Sequence, residues 1–237
     1  MSHLRWLFVV CYFTLLISLE AQTTLKACQL YPKELMANPT RVRPPMLLKN
    51  NLIVIDPGHG GHDIGTQSIS KPRYQEKYLN LITAKFVQTY LAQAGFDVMM
   101  TREEDVFISL EKRAQIANEK QPYLFVSIHY NSAPSAEAQG IEVYYYLSKE
   151  NKSRTLKSKR LSQSVLRQVL KTTDANSRGV KAGNFLVIRE TTVPAILIEG
   201  GFVSNEEELH RLKNPDYLKK IAWGIVKGIE EYVKSGR

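Results

Sequence analysis

Cysteine is nearly absent from this chain. Only Cys11 and Cys28 occur among 237 residues. Cys11 falls in the first apolar stretch, which reads as an export signal, so a mature chain keeps Cys28 alone. That excludes an internal disulfide framework and any paired-thiol redox motif. The fold must be held by its core, with or without a metal. The LKAC sequence at Cys28 makes a poor lipid-attachment box, because Lys26 fits it badly and the apolar run ends too early. There is no GxSxG elbow, and Cys28 lies ahead of the folded region, so serine or cysteine nucleophile chemistry has little support. After the first 21 residues no apolar run approaches the ~20 residues that cross a bilayer. Repeats, low-complexity tracts and a second domain are missing as well.

What is present begins with Arg5, an uncharged and mostly apolar run over residues 6–19, and the small residue Ala21. That layout predicts a signal peptide over residues 1–21, too short for a membrane span. It implies export with no stable membrane insertion after cleavage. The lack of a wall-binding repeat favours a periplasmic location over the cell wall or the medium. Lys plus Arg outnumber Asp plus Glu by 32 to 23, a net charge of +9. A basic surface suits a polyanionic partner, but export argues against nucleic acid. Residues 22–50, with Pro32, Pro39, Pro44 and Pro45, read as a lead-in or linker.

Residues 51–237 read as one folded domain. Strands are expected at 52–55, 96–100, 124–129, 140–147, 185–188 and 195–198. Helices are expected at 76–94, 110–118, 153–170 and 215–233. This alternation predicts a single α/β domain, with a mostly parallel or mixed central sheet and helices on both faces. The basic run from Lys149 to Lys171 is either a solvated helix face or a surface drawn to anionic wall polymer.

Four segments carry candidate chemistry. In IDPGHGG (residues 55–61) a strand ends, the chain turns at Pro57 and Gly58, and His59 is presented. Gly60 and Gly61 leave room for a ligand or substrate. A tight turn with a surface histidine is the plainer alternative. Asp56 is a candidate acceptor for a ring nitrogen of a metal-bound histidine. Glu76 sits in the first turn of its helix, where a carboxylate is favoured in any case. In FVSIHYN (residues 125–131) an apolar strand runs into His129 and Asn131, a structural histidine or a ligand. In PAILIEGGFVSN (residues 194–205) an apolar strand runs into Glu199, a carboxylate that is costly there without a partner or a task. Two histidines and a glutamate from separate loops match a catalytic zinc site with one position left for water. Glu199 then matches a general base. His62 is expected to line the cleft. His3 belongs to the signal and His210 to a solvated helix.

Several stretches in order resemble the zinc-dependent N-acetylmuramoyl-L-alanine amidases of the type 3 cell-wall family. They are VIDPGHGGHDIG at 54–65, EKYLNL at 76–81, TREEDVFISLEKRAQIAN at 101–118, SIHYNS at 127–132 and RGVKAGNFLVIRETTVPAILIEGGFVSN at 178–205. The resemblance spans residues 51 to about 233. It implies zinc on His59, Glu76 and His129, with Glu199 catalytic, and Glu76 as a ligand rests mainly on it. The implied reaction is hydrolysis of the amide joining the lactyl group of N-acetylmuramic acid to L-alanine, with peptidoglycan as the partner. A different zinc-dependent peptidoglycan peptidase and a non-catalytic wall-binding protein are the alternatives. Where the family often has Glu–Leu–Gly–Phe this chain has EGGF, so Gly200 is expected to loosen the loop or widen the cleft. Only about 30 residues separate Leu147 from Arg178, too few for the long covering helix of division-associated relatives. An exposed site that needs no activator protein is therefore expected.

Overall fold

Short apolar runs cut by proline or glycine become strands, and longer amphipathic runs between them become helices. The computed structural model describes residues 50–236. The expected signal peptide and nearly all of the lead-in lie outside the described residues. In chain order the elements are β1 (Leu52–Pro57), α1 (Glu76–Gln93), β2 (Asp97–Met100), α2 (Leu110–Lys120), β3 (Leu124–Asn131), β4 (Ile141–Tyr145), α3 (Lys152–Thr173), β5 (Ser177–Ala182), α4 (Leu186–Arg189), β6 (Ala195–Phe202), α5 (Glu206–Leu212) and α6 (Pro215–Ser235).

The six strands form one sheet in the order β2-β1-β3-β6-β4-β5. Strands β2, β1, β3 and β6 run parallel. Strand β4 is antiparallel to β6 and carries β5 parallel to itself. The sheet is thus mixed, with helices on both faces. On one face Val54, Phe125, Ala195 and Leu197 pack against Ala117 of α2 and Val187 and Ile188 of α4. Ile53, Ile55, Val126, Ile128, Ile196 and Ile198 alternate with them and are also buried. They point the other way, toward the layer built from α1, α3 and α6.

Two elements differ from expectation. Residues 185–188, read as a strand, hold the short helix α4 instead. Four apolar residues in a row fit a buried strand or one helical turn equally well, and here the tertiary contacts decide. Strand β5, SRGVKA, was not anticipated, because it lacks an apolar alternation and lies at the sheet edge.

Helices α3 and α6 meet through glycine. A Cβ on Gly228 would lie 2.4 Å from Cα of Val165, and one on Gly224 would lie 2.5 Å from Cα of Val169. The obstruction is backbone, which cannot swing aside. Gly228→Ala is therefore expected to cost about 1–3 kcal/mol through overpacking. Urea unfolding should show a lower midpoint with an unchanged slope. A midpoint equal to wild type would mean that the two helices separate freely.

Candidate active site

The carboxyl ends of β1, β3 and β6 come together on the face covered by α2 and α4. Strand β1 delivers the loop that carries His59. Strand β3 delivers His129, whose register partner on β6 is Glu199. In parallel strands paired residues share a face, so His129 and Glu199 stand side by side. Glu76 enters from the first turn of α1. That helix has no side-chain cap, and the Glu76 carboxylate is spent on the site instead.

His59 Nε2 lies 3.1 Å from Glu76 Oε2, and His129 Nδ1 lies 2.9 Å from Glu76 Oε1. The two imidazoles meet edge to face at 5.0 Å. One ligand atom from each of the three residues falls within 4.8 Å of the others. Two imidazoles and a carboxylate are the donor chemistry of a catalytic zinc site. Beside them Glu199 Oε2 is buried without a hydrogen-bond partner among the described residues, an oxygen placed for an incoming ligand or proton. The residues therefore fit a divalent cation.

Glu76 is heavily supported. Its Oε1 also accepts from the backbone N–H of Tyr130 and from Asn80 Nδ2, and its Oε2 accepts from the N–H of Thr66. Burial opposes its ionisation, but the hydrogen bonds from His129 and His59 outweigh burial and hold the carboxyl far below the usual range. Glu199 is the opposite case. Burial, then the negative charges of Glu76 and Glu142, push its carboxyl well above the usual value. Two acidic groups in one site thus have pKa values driven apart, an arrangement that suits different tasks.

The loop at His59 is held by residues that local sequence patterns did not single out. His59 takes a left-handed backbone, φ 60°, which costs a non-glycine residue roughly 1–3 kcal/mol. Two buried arginines hold it there. Arg113 donates from Nη1 to the carbonyl of Pro57 at 2.7 Å and from Nη2 to the carbonyl of His59 at 2.7 Å. Arg102 donates from Nε to the carbonyl of Pro57 at 3.0 Å and from Nη2 to that of Gly58 at 2.7 Å. The carbonyls of three consecutive residues are thus fixed by two guanidiniums. Lys77 fixes the next turn by donating to the Gly61 carbonyl and to Asp105.

Asp56 does not reach a histidine ring. Its carboxylate accepts from Arg113 Nη1, Thr101 Oγ1 and Ser127 Oγ. Asp63 takes the expected role: its Oδ2 lies 2.8 Å from His59 Nδ1, which leaves Nε2 facing Glu76. Gly60 is needed for the close passage of the Val106 carbonyl, 2.2 Å from where a Cβ would be, rather than for a ligand. Gly58 matters more to the site, since a Cβ there would overlap the His129 ring at 2.1 Å. His62 stacks on Phe107 with ring centres 4.1 Å apart and is exposed. Gly200 faces away from Glu199, and the Tyr130 ring fills the space a Cβ would need, at 2.7 Å. The expected widening of the cleft at Gly200 is therefore not seen. Asn131 does line the cleft, a cavity of about 470 Å³. Its apolar lining includes Leu110, Phe185 and Val187.

Known proteins share this fold. The family profile described as N-acetylmuramoyl-L-alanine amidase matches residues 53–231. The structure resembles that of N-acetylmuramoyl-L-alanine amidase from Clostridium difficile 630, with 37% identity and a TM-score of 0.74, over 80% of this chain and 100% of that one. It also resembles the CwlD amidase of Clostridioides difficile, solved in complex with the GerS lipoprotein, with 30% identity and a TM-score of 0.72, over 78% and 100%. The probable cell wall amidase LytH of Staphylococcus epidermidis is 32% identical over 79% of this chain, which spans 60% of that relative's length.

Proposed function

The chain belongs to the N-acetylmuramoyl-L-alanine amidase family, and we propose that it hydrolyses the amide between the lactyl group of N-acetylmuramic acid and the L-alanine of the peptidoglycan stem, with zinc held by His59, Glu76 and His129. The observation that carries this reading is the convergence of those three side chains within 4.8 Å, beside the unpartnered Glu199 Oε2. When bound, zinc polarises the scissile carbonyl and lowers the pKa of a water molecule.

The protein's own part is to place and move protons. Asp63 holds the His59 ring, and the two arginines hold the backbone that carries it. Glu76 stays ionised between the histidines. Glu199, whose affinity for a proton is raised by burial and by neighbouring carboxylates, takes a proton from the attacking water at Oε2. It then delivers that proton to the leaving nitrogen of L-alanine. The C–N bond breaks, leaving a lactyl carboxylate on the glycan and a free amino terminus on the peptide.

We read residues 1–21 as an export signal, and the expected setting is the periplasm, otherwise the wall or the medium. Among the described residues no helix is long and apolar enough to cross a membrane. Helix α3 occupies the interval where division-associated relatives carry a covering helix, and here it packs along α6. The site is therefore read as open without an activator.

One experiment tests these points together. Purified protein alone should release peptides with an L-alanine amino terminus from sacculi and leave the glycan intact by mass analysis. Chelation should abolish the release and added zinc should restore it. Cleavage inside the stem would replace the amidase reading with a peptidase one. Activity unaffected by chelation would overturn the zinc assignment, and silence until a partner protein is added would overturn the open site.

A further inference from the structure

The charged lining continues past Glu199. Glu142 on β4 is the cross-strand partner of Glu199 on β6, so two carboxylates stand next to each other on one face of the sheet. Like charges in that position repel, and the fold answers with a dense set of donors. Glu142 Oε1 accepts from Asn131 Nδ2 and from the Tyr144 hydroxyl, both at 2.9 Å. Its Oε2 accepts from Arg178 Nε at 3.0 Å and from Lys181 Nζ. The Glu142 side chain is 3% exposed, whereas those of Arg178 and Lys181 are 35% and 39% exposed. Two cations thus meet one buried carboxylate, and their outer surfaces face solvent. Each is also fixed laterally: Arg178 lies over the Phe202 ring at 4.7 Å and Lys181 over the Tyr144 ring at 5.9 Å. A preorganised pair with a surplus positive charge loses little side-chain freedom on gripping an anion.

This pair is joined to the cleft. Asn131 and Phe185 both line the cavity. Asn131 bonds directly to Glu142, and the Tyr144 ring meets that of Phe185 edge on at 4.9 Å. The direction of the substrate follows from the proton transfer. Glu199 protonates the leaving nitrogen, so the peptide continues from that nitrogen past Glu199, away from the metal ligands. The next group along the sheet is Glu142, roughly one strand spacing of ~4.8 Å further on, and its cations reach it from β5, the strand beyond. An extended peptide covers that distance in one to two residues at ~3.5 Å each. L-alanine carries no side-chain charge. The second stem residue, a glutamyl linked through its γ-carboxyl, carries a free α-carboxylate unless it is amidated.

We propose that Arg178 and Lys181, seated on Glu142, form an anion subsite that binds the α-carboxylate of the second stem residue and so selects non-amidated stems. This deepens the amidase reading and rests on it. The test uses two soluble glycan–stem fragments that differ only in carrying the α-carboxylate or the α-carboxamide. The wild-type protein should show a KM roughly tenfold lower for the acid, as expected for loss of a charge-assisted hydrogen bond, with similar kcat. Lys181→Met and Arg178→Met should raise KM for the acid more than for the amide, so that the two fragments converge. Direct binding of both fragments by calorimetry gives a readout independent of turnover. Tenfold discrimination in binding supports the subsite even if neither fragment is cleaved, and in that case the amidase reading alone fails. Equal affinity for acid and amide would overturn the subsite. An equal loss on both fragments in the variants would likewise overturn it, by showing that the cations only brace β4 and β5.

Discussion

Glu199→Gln is expected to lower kcat on peptidoglycan by roughly 10²–10⁴-fold, the range for removal of a positioned proton carrier, while zinc content stays that of wild type. The substitution keeps the shape of a buried side chain and removes only its ability to take a proton. The three candidate ligands come from other elements, so metal occupancy should not follow activity. Glu199 Oε2 makes no hydrogen bond among the described residues, so no existing bond is lost on that oxygen. Relief of the repulsion from Glu76 and Glu142 should hold or raise the unfolding temperature. The combination of stability retained, metal retained and turnover lost is specific to a catalytic role. A Glu199→Gln protein with near wild-type turnover would end that assignment. One that lost its zinc in parallel would make Glu199 part of the metal's support.

The fold was legible where chain punctuation is local. Strand β1 stops at Pro57–Gly58, α6 starts at Asn214–Pro215, Glu199 follows a continuous apolar run and His129 one broken only by Ser127. Those signals need only near neighbours. What escaped depends on distant partners. By sequence Asp56 is a candidate support for a histidine, but its counter-ion Arg113 lies 57 residues away, and nothing near Asp56 announces it. Asp63, which does hold His59, sits four residues along in the same loop. Asp56 is instead buried within β1, whereas Asp63 is a partly exposed residue of the loop itself. Sequence supplies no partner for Gly200 and so suggests open space, whereas the sheet brings the Tyr130 ring onto it. Residues 185–188 fit strand or helix, because four apolar residues fix neither period. Strand β5 escaped because an edge strand rich in charge and glycine has no inward face to read. The same edge supplies Arg178 and Lys181, so the least legible strand bears the groups assigned to substrate selection.

Arg113→Met should cost about 3–5 kcal/mol at neutral pH, the price of leaving a buried charge without its partner. For a domain of this size that corresponds to a fall in Tm of roughly 6–20 °C. Arg113 is 1% exposed and Asp56 is fully buried. Burial alone would raise the Asp56 pKa, but the charge of Arg113 and the hydrogen bonds from Thr101 and Arg113 outweigh it and hold the carboxyl below its ordinary value. Because the folded pKa is depressed, the stability that Asp56 contributes is present above its unfolded pKa of ~3.9 and is lost as pH falls below it. Without Arg113 the sign reverses. Burial then dominates, the folded pKa rises above the unfolded one, and the folded variant binds a proton that its unfolded chain releases. The variant should therefore gain stability relative to wild type as pH falls from 7 toward 4, and the gap between the two should narrow. Urea unfolding at both pH values measures this. A gap that stayed constant would assign the cost to the lost bonds at the Pro57 and His59 carbonyls, with no part for the Asp56 charge. Asp56→Asn combined with Arg113→Met separates the two terms further. It should recover the electrostatic part of the loss at pH 7 and leave the weakened hold on the His59 loop, visible as reduced zinc affinity.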